Sequence, residues 1–89
     1  MRISDEIHAR LSGAFAPTEL TVTDESDQHR GHGGWREEGE SHFRVVVAAS
    51  AFAGMNRIER HRAVHAALGP DLIGRIHALA LEISVPGLG

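Results

Sequence analysis

The spacing of apolar residues predicts a helix at the N-terminal end of the chain. Apolar side chains recur there at the interval of one helical face. These positions are Ile3, Ile7, Leu11, Ala14 and Phe15. Pro17 follows, and a proline disfavours the helical conformation in the residue before it. We therefore predict an amphipathic helix over residues 3–16.

Two strands are predicted next, separated by a long polar segment. Residues 20–23 alternate apolar and polar side chains with β-branched enrichment, and residues 42–49 place Phe43, Val45 and Val47 on one face. Residues 25–40 between them are rich in glycine and show no periodicity. Since a loop of this length exceeds a normal hairpin connection, it is the first region to search for a functional site.

The C-terminal half predicts two helices and a third strand. Asn56 and Glu59 have the spacing of a capping box, which indicates a helix over residues 57–68 that Gly69 and Pro70 end. Residues 70–73 predict one short helical turn. Residues 76–83 alternate as a strand, with one set of side chains opposite Ala78, Ala80 and Glu82. That set, expected to pack, is His77, Leu79, Leu81 and Ile83.

The predicted order αββααβ indicates an α+β domain in which helices cover one face of a three-stranded mixed sheet. The length allows one small domain, which we place at residues 1–85, with a flexible tail at residues 86–89. No apolar run is long enough for a membrane span and the N-terminus lacks a secretory pattern, so we expect a soluble, cytoplasmic protein without membrane partners.

Composition narrows the chemistry that the chain can perform. The sequence has seven histidines and no cysteine, which excludes a disulfide framework and any thiolate site of its own. The nine basic residues are all arginine. With a net charge of −3, the chain as a whole lacks the excess positive charge that is typical of nucleic-acid-binding domains. No nucleophile elbow, triad or paired-acid arrangement is present, so we do not expect an enzyme.

Three regions carry candidate binding residues. His29 and His32 have a spacing common among metal ligands, although an ordinary polar loop would also explain them. Trp35 marks either a partner surface or a ring that covers the sheet edge. On the helix over residues 57–68 we place Ile58, Val64, Leu68 and His61 on one packed stripe, with His65 at its edge. The same helix carries three arginines that would meet DNA phosphates or form a solvated, ion-paired face: Arg57, Arg60 and Arg62.

Several motifs together resemble the BolA family along nearly the whole chain. They are Asp24-Glu25-Ser26 followed by His29, residues 40–47 (ESHFRVVV), Phe52-Ala53-Gly54, Arg60-His61-Arg62, and residues 77–81 (HALAL). The resemblance implies a class II KH-like fold with the αββααβ order. It also implies a heterodimer with a monothiol glutaredoxin of the CGFS type that shares a [2Fe-2S] cluster.

In that resemblance His77 is a cluster ligand and the loop between the first two strands supplies another. Lacking cysteine, this chain falls in the histidine-loop type. Because of the insertion at residues 31–38, either His29 or His32 can be the loop ligand. The position relative to Asp24-Glu25-Ser26 favours His29. The glutaredoxin cysteine and a glutathione thiol supply the remaining ligands, so no cofactor is expected in the isolated chain. Free protein is expected to be a monomer or weak homodimer.

The resemblance also implies a second function, that of a transcriptional regulator. DNA would then be the partner, bound through the helix that carries Arg57, Arg60 and Arg62.

Overall fold

A computed structural model describes residues 2–25 and 42–87. In that part of the chain the elements follow the predicted order αββααβ. The three helices are α1 (Ile3–Phe15), α2 (Arg57–Leu68) and α3 (Pro70–Ile73). The three strands are β1 (Glu19–Asp24), β2 (His42–Ala48) and β3 (Ala78–Ser84). A short 3-10 helix, Ser50–Phe52, which the sequence pattern did not predict, joins β2 to the segment before α2.

The sheet is mixed, with the strand order β1-β2-β3. β1 and β2 are antiparallel, and Val22 pairs with Val45. β2 and β3 are parallel, and Val45 pairs with Leu81. A parallel pair needs a long crossover connection, which α2 and α3 provide. The predicted α+β class with a three-stranded mixed sheet is confirmed.

The core lies between the helices and one face of the sheet. Phe43, Val45 and Val47 of β2 are buried, as predicted from their alternation. The helices contribute Ile7 and Leu11 of α1, Val64 and Leu68 of α2, and Leu72 of α3. Phe52 of the 3-10 helix stacks against Phe15, with ring centroids 4.7 Å apart. These side chains hold the helices on one face of the sheet.

Helix ends follow the local signals in the sequence. The predicted capping box is present: Glu59 donates its backbone N–H to Asn56 Oδ1 at 2.8 Å, and Asn56 donates its own to Glu59 Oε1 at 2.9 Å. Gly69, at φ 85°, separates α2 from α3. A Cβ there would lie 3.0 Å from Asp71 Oδ1, so both conformation and space favour glycine.

α1 is tied to the turn between α2 and α3 by Arg10. Its guanidinium donates to the carbonyl of Leu68, at the C-terminus of α2, and forms an ion pair with Asp71 at 3.4 Å. The Arg10 hydrogen bond lowers the pKa of the Asp71 carboxyl. Among the described residues, no helix has the length and apolar character to cross a membrane.

Candidate metal centre where strands β2 and β3 begin

Parallel pairing brings the starts of β2 and β3 to one corner of the sheet. His42, the first residue of β2, pairs in register with Ala78, the first residue of β3. His77 therefore lies beside His42. We call His42, His77 and Ala78, together with Glu25 at the end of β1, the strand-start corner.

His77 differs from the prediction in its surroundings. The sequence pattern began the third strand at residue 76 and placed His77 on the packed face with Leu79. The strand begins instead at Ala78, and His77 is exposed whereas Leu79 and Leu81 are partly buried. Because His77 precedes the ladder, strand alternation does not direct its side chain. An exposed imidazole at a fixed backbone position is available to a ligand or partner.

The two histidine rings of the corner are neighbours. Their centroids lie 5.0 Å apart and their planes are inclined by 58°. His42 is 5% exposed, in contrast to the exposed His77. His42 has the strand parity of Arg44 and Val46, opposite to that of Phe43 and Val45, so it does not belong to the core beneath the helices. The corner thus pairs a buried imidazole with an exposed one.

Polar contacts fix the backbone around these rings. Glu25 donates its backbone N–H to the carbonyl of His42 at 2.7 Å. On the sheet face opposite the helices, Arg44 of β2 donates to Oε2 of Glu25, the residue after β1, at 3.0 Å and to Oε2 of Glu82 in β3 at 3.2 Å. These carboxylates raise the pKa of Arg44, the hydrogen bond to Glu25 contributing most. The corner is therefore held by the sheet and by the ion pairs of Arg44 with Glu25 and Glu82.

The turn before His77 has its own anchor. Arg75 donates to both carboxylate oxygens of Glu6 in α1, at 3.0 and 2.9 Å. This hydrogen bonding lowers the pKa of Glu6, and Arg10 adds to the effect from 3.7 Å. A bidentate pair fixes both distance and orientation. Arg75 thus connects α1 to the segment that carries His77, two residues further on.

The candidate loop ligands His29 and His32 lie outside the described residues, as does Trp35. Their segment leaves the described chain after Glu25 and rejoins it at His42, and both of these residues belong to the strand-start corner. Within residues 2–25 and 42–87, no three histidine or carboxylate side chains are grouped to hold a metal ion.

The donor set of the corner fits an iron-sulfur cluster. Neutral imidazole is an established ligand of iron in [2Fe-2S] centres, where two histidines can replace two thiolates on one iron. His77 offers an exposed imidazole, and the ring of His42 lies beside it. Because the whole chain has no cysteine, thiolate ligands would have to come from other molecules.

The arginines of α2 are placed differently from one another. Arg57 and Arg62 are exposed, whereas Arg60 is partly buried and donates from Nε to the carbonyl of Met55 at 3.1 Å. Of the three, Arg57 and Arg62 are therefore the more available to a partner. We call the surface formed by Arg57, Ile58, His61, Arg62 and His65 the outer face of α2.

The predicted stripe on α2 is wrong at Ile58, which is 63% exposed. Val64 and Leu68 are buried as expected, and His61 is partly buried. At 100° per residue, Ile58 lies about 80° from Leu68 and about 120° from Val64, too far round the helix to share their face. His65 is exposed too, and its Nδ1 lies 2.8 Å from the carbonyl of His61.

From the sequence, His42 is predicted only to open a strand. Its alternation with Phe43 already indicated the face opposite the core, and an imidazole there was a usable signal. Its proximity to His77 depends on the register between β2 and β3, which connects residues far apart in the chain. That register was not predictable from either strand alone.

A three-stranded mixed sheet with helices on one face, in the order αββααβ, defines a small α+β module of the class II KH-like type. The family described as BolA-like protein matches residues 11–87. The chain belongs to the BolA family, as its motifs predicted.

Similar proteins span bacteria, plants and animals. A Sinorhizobium sp. protein named for its position 5′ of cobS is 48% identical over 98% of this chain and 95% of its own length. The Escherichia coli K12 protein "DNA-binding transcriptional regulator BolA" is 40% identical over 92% of this chain and 74% of its own length. BolA1 from Arabidopsis thaliana superposes with a TM-score of 0.84 at 29% identity, covering 100% of this chain and 98% of that one.

Relatives differ in length. BolA-like protein 1 of Mus musculus is 42% identical over 90% of this chain, yet the match covers 56% of the mouse protein. The chain thus spans about half the length of this animal relative. These relatives are named as regulators or BolA-like proteins, not as enzymes.

Proposed function

We propose that this protein is a non-enzymatic partner of a monothiol CGFS glutaredoxin and co-ligates a [2Fe-2S] cluster through histidines. The complex would serve iron-sulfur cluster trafficking or iron-dependent regulation in the cytoplasm. The observation that carries the proposal is His77. It is an exposed imidazole at a fixed corner of the sheet, in a chain that has no cysteine.

The ligand set follows from the residues that the chain has and lacks. His77 supplies one imidazole, and the sequence offers His29 or His32 as the second. The glutaredoxin cysteine and a glutathione thiol supply the thiolates. Imidazole in place of thiolate raises the potential of a [2Fe-2S] centre, and ligation by histidine depends on pH because the ring must be neutral.

Placement at the strand-start corner supports a shared site. His77 is exposed, so a partner surface can approach it. The segment with His29 and His32 departs from and returns to the same corner, through Glu25 and His42. Hydrogen bonds from the sheet and the Glu6–Arg75 pair hold the backbone on either side, which limits reorganisation when a ligand binds.

The test is anaerobic reconstitution with a CGFS glutaredoxin and glutathione, followed by visible absorption and circular dichroism. We expect the wild-type mixture to form a heterocomplex with a cluster spectrum distinct from that of the glutaredoxin alone. His77→Ala should lose that spectrum. His65→Ala is the matched control, because it removes an exposed histidine on the outer face of α2.

An unchanged spectrum and unchanged cluster lability in His77→Ala would remove His77 from the ligand set. A wild-type chain that forms no complex with any CGFS glutaredoxin would overturn the proposed function itself.

A second candidate function is DNA binding through α2. It is supported by the name of the E. coli relative and by the exposure of Arg57 and Arg62 on one helix. Arg60 is bonded to the Met55 carbonyl and is the least available of the three. Phosphate contacts position a protein on DNA, and each one releases counterions.

Salt dependence distinguishes this candidate from the first. If Arg57 and Arg62 each contact a phosphate, the double alanine variant should lower the slope of log K against log salt by about 2. Arg2→Ala, which removes an arginine at the other end of the chain, is the control. Binding without sequence preference over bulk duplex at moderate salt would count against a regulator.

A further inference from the structure

The helix layer covers β2 more completely than β3. On the sheet face beneath the helices, each apolar side chain of β3 has a register partner in β2; the pairs are Phe43 with Leu79, Val45 with Leu81, and Val47 with Ile83. The β2 members are buried, whereas the β3 members are only partly buried. In the part of the chain that the structure describes, apolar surface therefore remains accessible along β3.

β3 also has an unprotected edge. Within residues 2–25 and 42–87 its only neighbouring strand is β2, which it follows from Ala78 to Ser84 without a bulge. The strand carries one charged residue, Glu82, and no proline. Natural sheets protect their edges with charges, proline, bulges or a covering segment. The outer edge of β3 therefore offers backbone N–H and C=O groups to an added strand.

A groove with a volume of about 320 Å³ separates this strand from α2. Leu81 and Ile83 line it from β3, and Arg57, Arg60 and His61 line it from α2. We call these five residues the β3 groove. Its β3 side is apolar, and its α2 side carries guanidinium groups and an imidazole.

The arginines of the β3 groove have no acidic partner among the described residues. Arg57 forms no ion pair there, and Arg60 donates from Nε to the carbonyl of Met55, which leaves its terminal N–H groups for other acceptors. Four other described arginines do form ion pairs with carboxylates: Arg2, Arg10, Arg44 and Arg75. The groove is thus complementary to a ligand that brings its own negative charge.

A peptide fits the β3 groove better than nucleic acid or a second copy of this chain. A phosphodiester backbone lacks the alternating N–H and C=O groups that pair with a strand edge, and the net charge of −3 opposes a polyanion. Two copies joined through β3 by a two-fold axis would place the same arginines side by side on one face of the joined sheet.

We propose that the β3 groove binds an extended acidic segment of another protein as an additional strand on β3. The backbone of the segment pairs with β3, its carboxylates pair with Arg57 and Arg60, and its apolar side chains cover Leu81 and Ile83. Alternate side chains of a strand face the same side, so acidic and apolar residues should occur two positions apart. The groove lies apart from His77, which precedes β3, and does not depend on a cluster.

The test starts with a random peptide library displayed on phage and selected against the full chain. We expect enriched sequences to combine acidic and apolar residues at alternate positions. A synthetic peptide of an enriched sequence, blocked at both ends, is then titrated into isotope-labelled protein and followed by NMR. The largest amide shifts should fall in β3 and in the first half of α2.

Variants on one helix separate the groove from the outer face of α2. Arg57→Glu should weaken peptide binding by about tenfold or more, because it reverses a charge in the β3 groove. Arg62→Glu, which lies outside the groove, should weaken it by less than about twofold. Circular dichroism confirms that both variants are folded. His77→Ala should bind the peptide as the wild type does.

N-methylation of the peptide tests strand addition without altering the protein. The N–H groups of a strand point alternately to its two edges, so methylating every second residue should abolish binding in one alternation and preserve it in the other. Enrichment of basic peptides or of none, shifts that avoid β3, equal losses in the two arginine variants, or equal effects of the two methylation patterns would overturn the proposal. These results leave the cluster proposal untouched, since that one depends on the glutaredoxin complex of His77→Ala.

Discussion

The strand-start corner and the outer face of α2 both present histidines, but they constrain them differently. At the corner, two histidines come from separate strands, and sheet register places their rings 5.0 Å apart. On the outer face of α2, the side chains come from a single helix. Ile58, Arg57 and Arg62 there are exposed.

This difference indicates which surface is suited to which chemistry. Metal ligation requires donors held in defined positions, and the corner holds His77 through backbone pairing and the bidentate Glu6–Arg75 contact. Phosphate binding tolerates long exposed side chains, because the electrostatic term depends mainly on charge. The corner therefore supports the cluster proposal, and the outer face of α2 supports the DNA alternative.

The largest effect on cluster binding should come from removing the imidazole of His77 at the strand-start corner. His77→Ala is expected to abolish the cluster spectrum of the glutaredoxin heterocomplex while changing the free energy of unfolding by less than about 0.5 kcal/mol, because the side chain is exposed. Urea titration measures the stability. Arg62→Ala should retain the full spectrum. Equal loss in both variants would contradict the separation of the two surfaces.

Helix α2 allows a matched test of its inner and outer faces. Leu68→Ala removes a fully buried side chain and should cost about 2–5 kcal/mol of unfolding free energy. Ile58→Ala, on the outer face, should change it by less than about 0.5 kcal/mol. Chemical denaturation measures both. A cost above about 1 kcal/mol for Ile58→Ala would show that this side chain is covered in solution.

The start of α2 depends on the capping box. Asn56→Ala removes the acceptor for the Glu59 N–H and should cost about 1 kcal/mol, lowering the thermal midpoint. Arg57 and Ile58 lie in this first turn, so fraying should affect the outer face of α2 before the corner. Amide hydrogen exchange should therefore increase in residues 57–60 and remain unchanged in β2. Increased exchange at His42 would contradict this independence.

The smallest effect should be a pH dependence at the base of the corner. The hydrogen bonds from Arg75 lower the folded-state pKa of Glu6 below its ordinary value of 4.5. The pair therefore contributes its full stability above that value and loses it as the pH falls through the lowered pKa. The thermal midpoint should decrease in acid, and Glu6→Gln should flatten part of that decrease. Identical acid profiles for the two proteins would rule out this contribution.

Local patterns were sufficient for the elements of the fold. The alternation of Phe43, Val45 and Val47 predicted the buried face of β2. The spacing of Asn56 and Glu59 predicted the start of α2. Each depends on a few neighbouring residues and on the geometry of a strand or a helix end. The motifs also gave the family, because they recur along nearly the whole chain.

Two local predictions differ from the structure, one on α2 and one at the start of β3. The helical projection that places Ile58 on one stripe with Val64 and Leu68 is wrong, because only Val64 and Leu68 of these three meet the core. The third strand was begun at residue 76 because alternation continues there, although the ladder with β2 starts at Ala78. The start of the ladder depends on pairing between distant strands, whereas the helical spacing alone already separates Ile58 from Val64 and Leu68.

The sequence by itself determined the class of fold, the family, and the restriction of metal chemistry to imidazole and carboxylate, since these depend on residue type and spacing. It also singled out His77. Only the tertiary structure brought His42 to His77, because thirty-four intervening positions must be closed by the crossover through α2 and α3 before β3 pairs with β2. Sheet register, a long-range property, placed two separate histidines at one corner of the sheet.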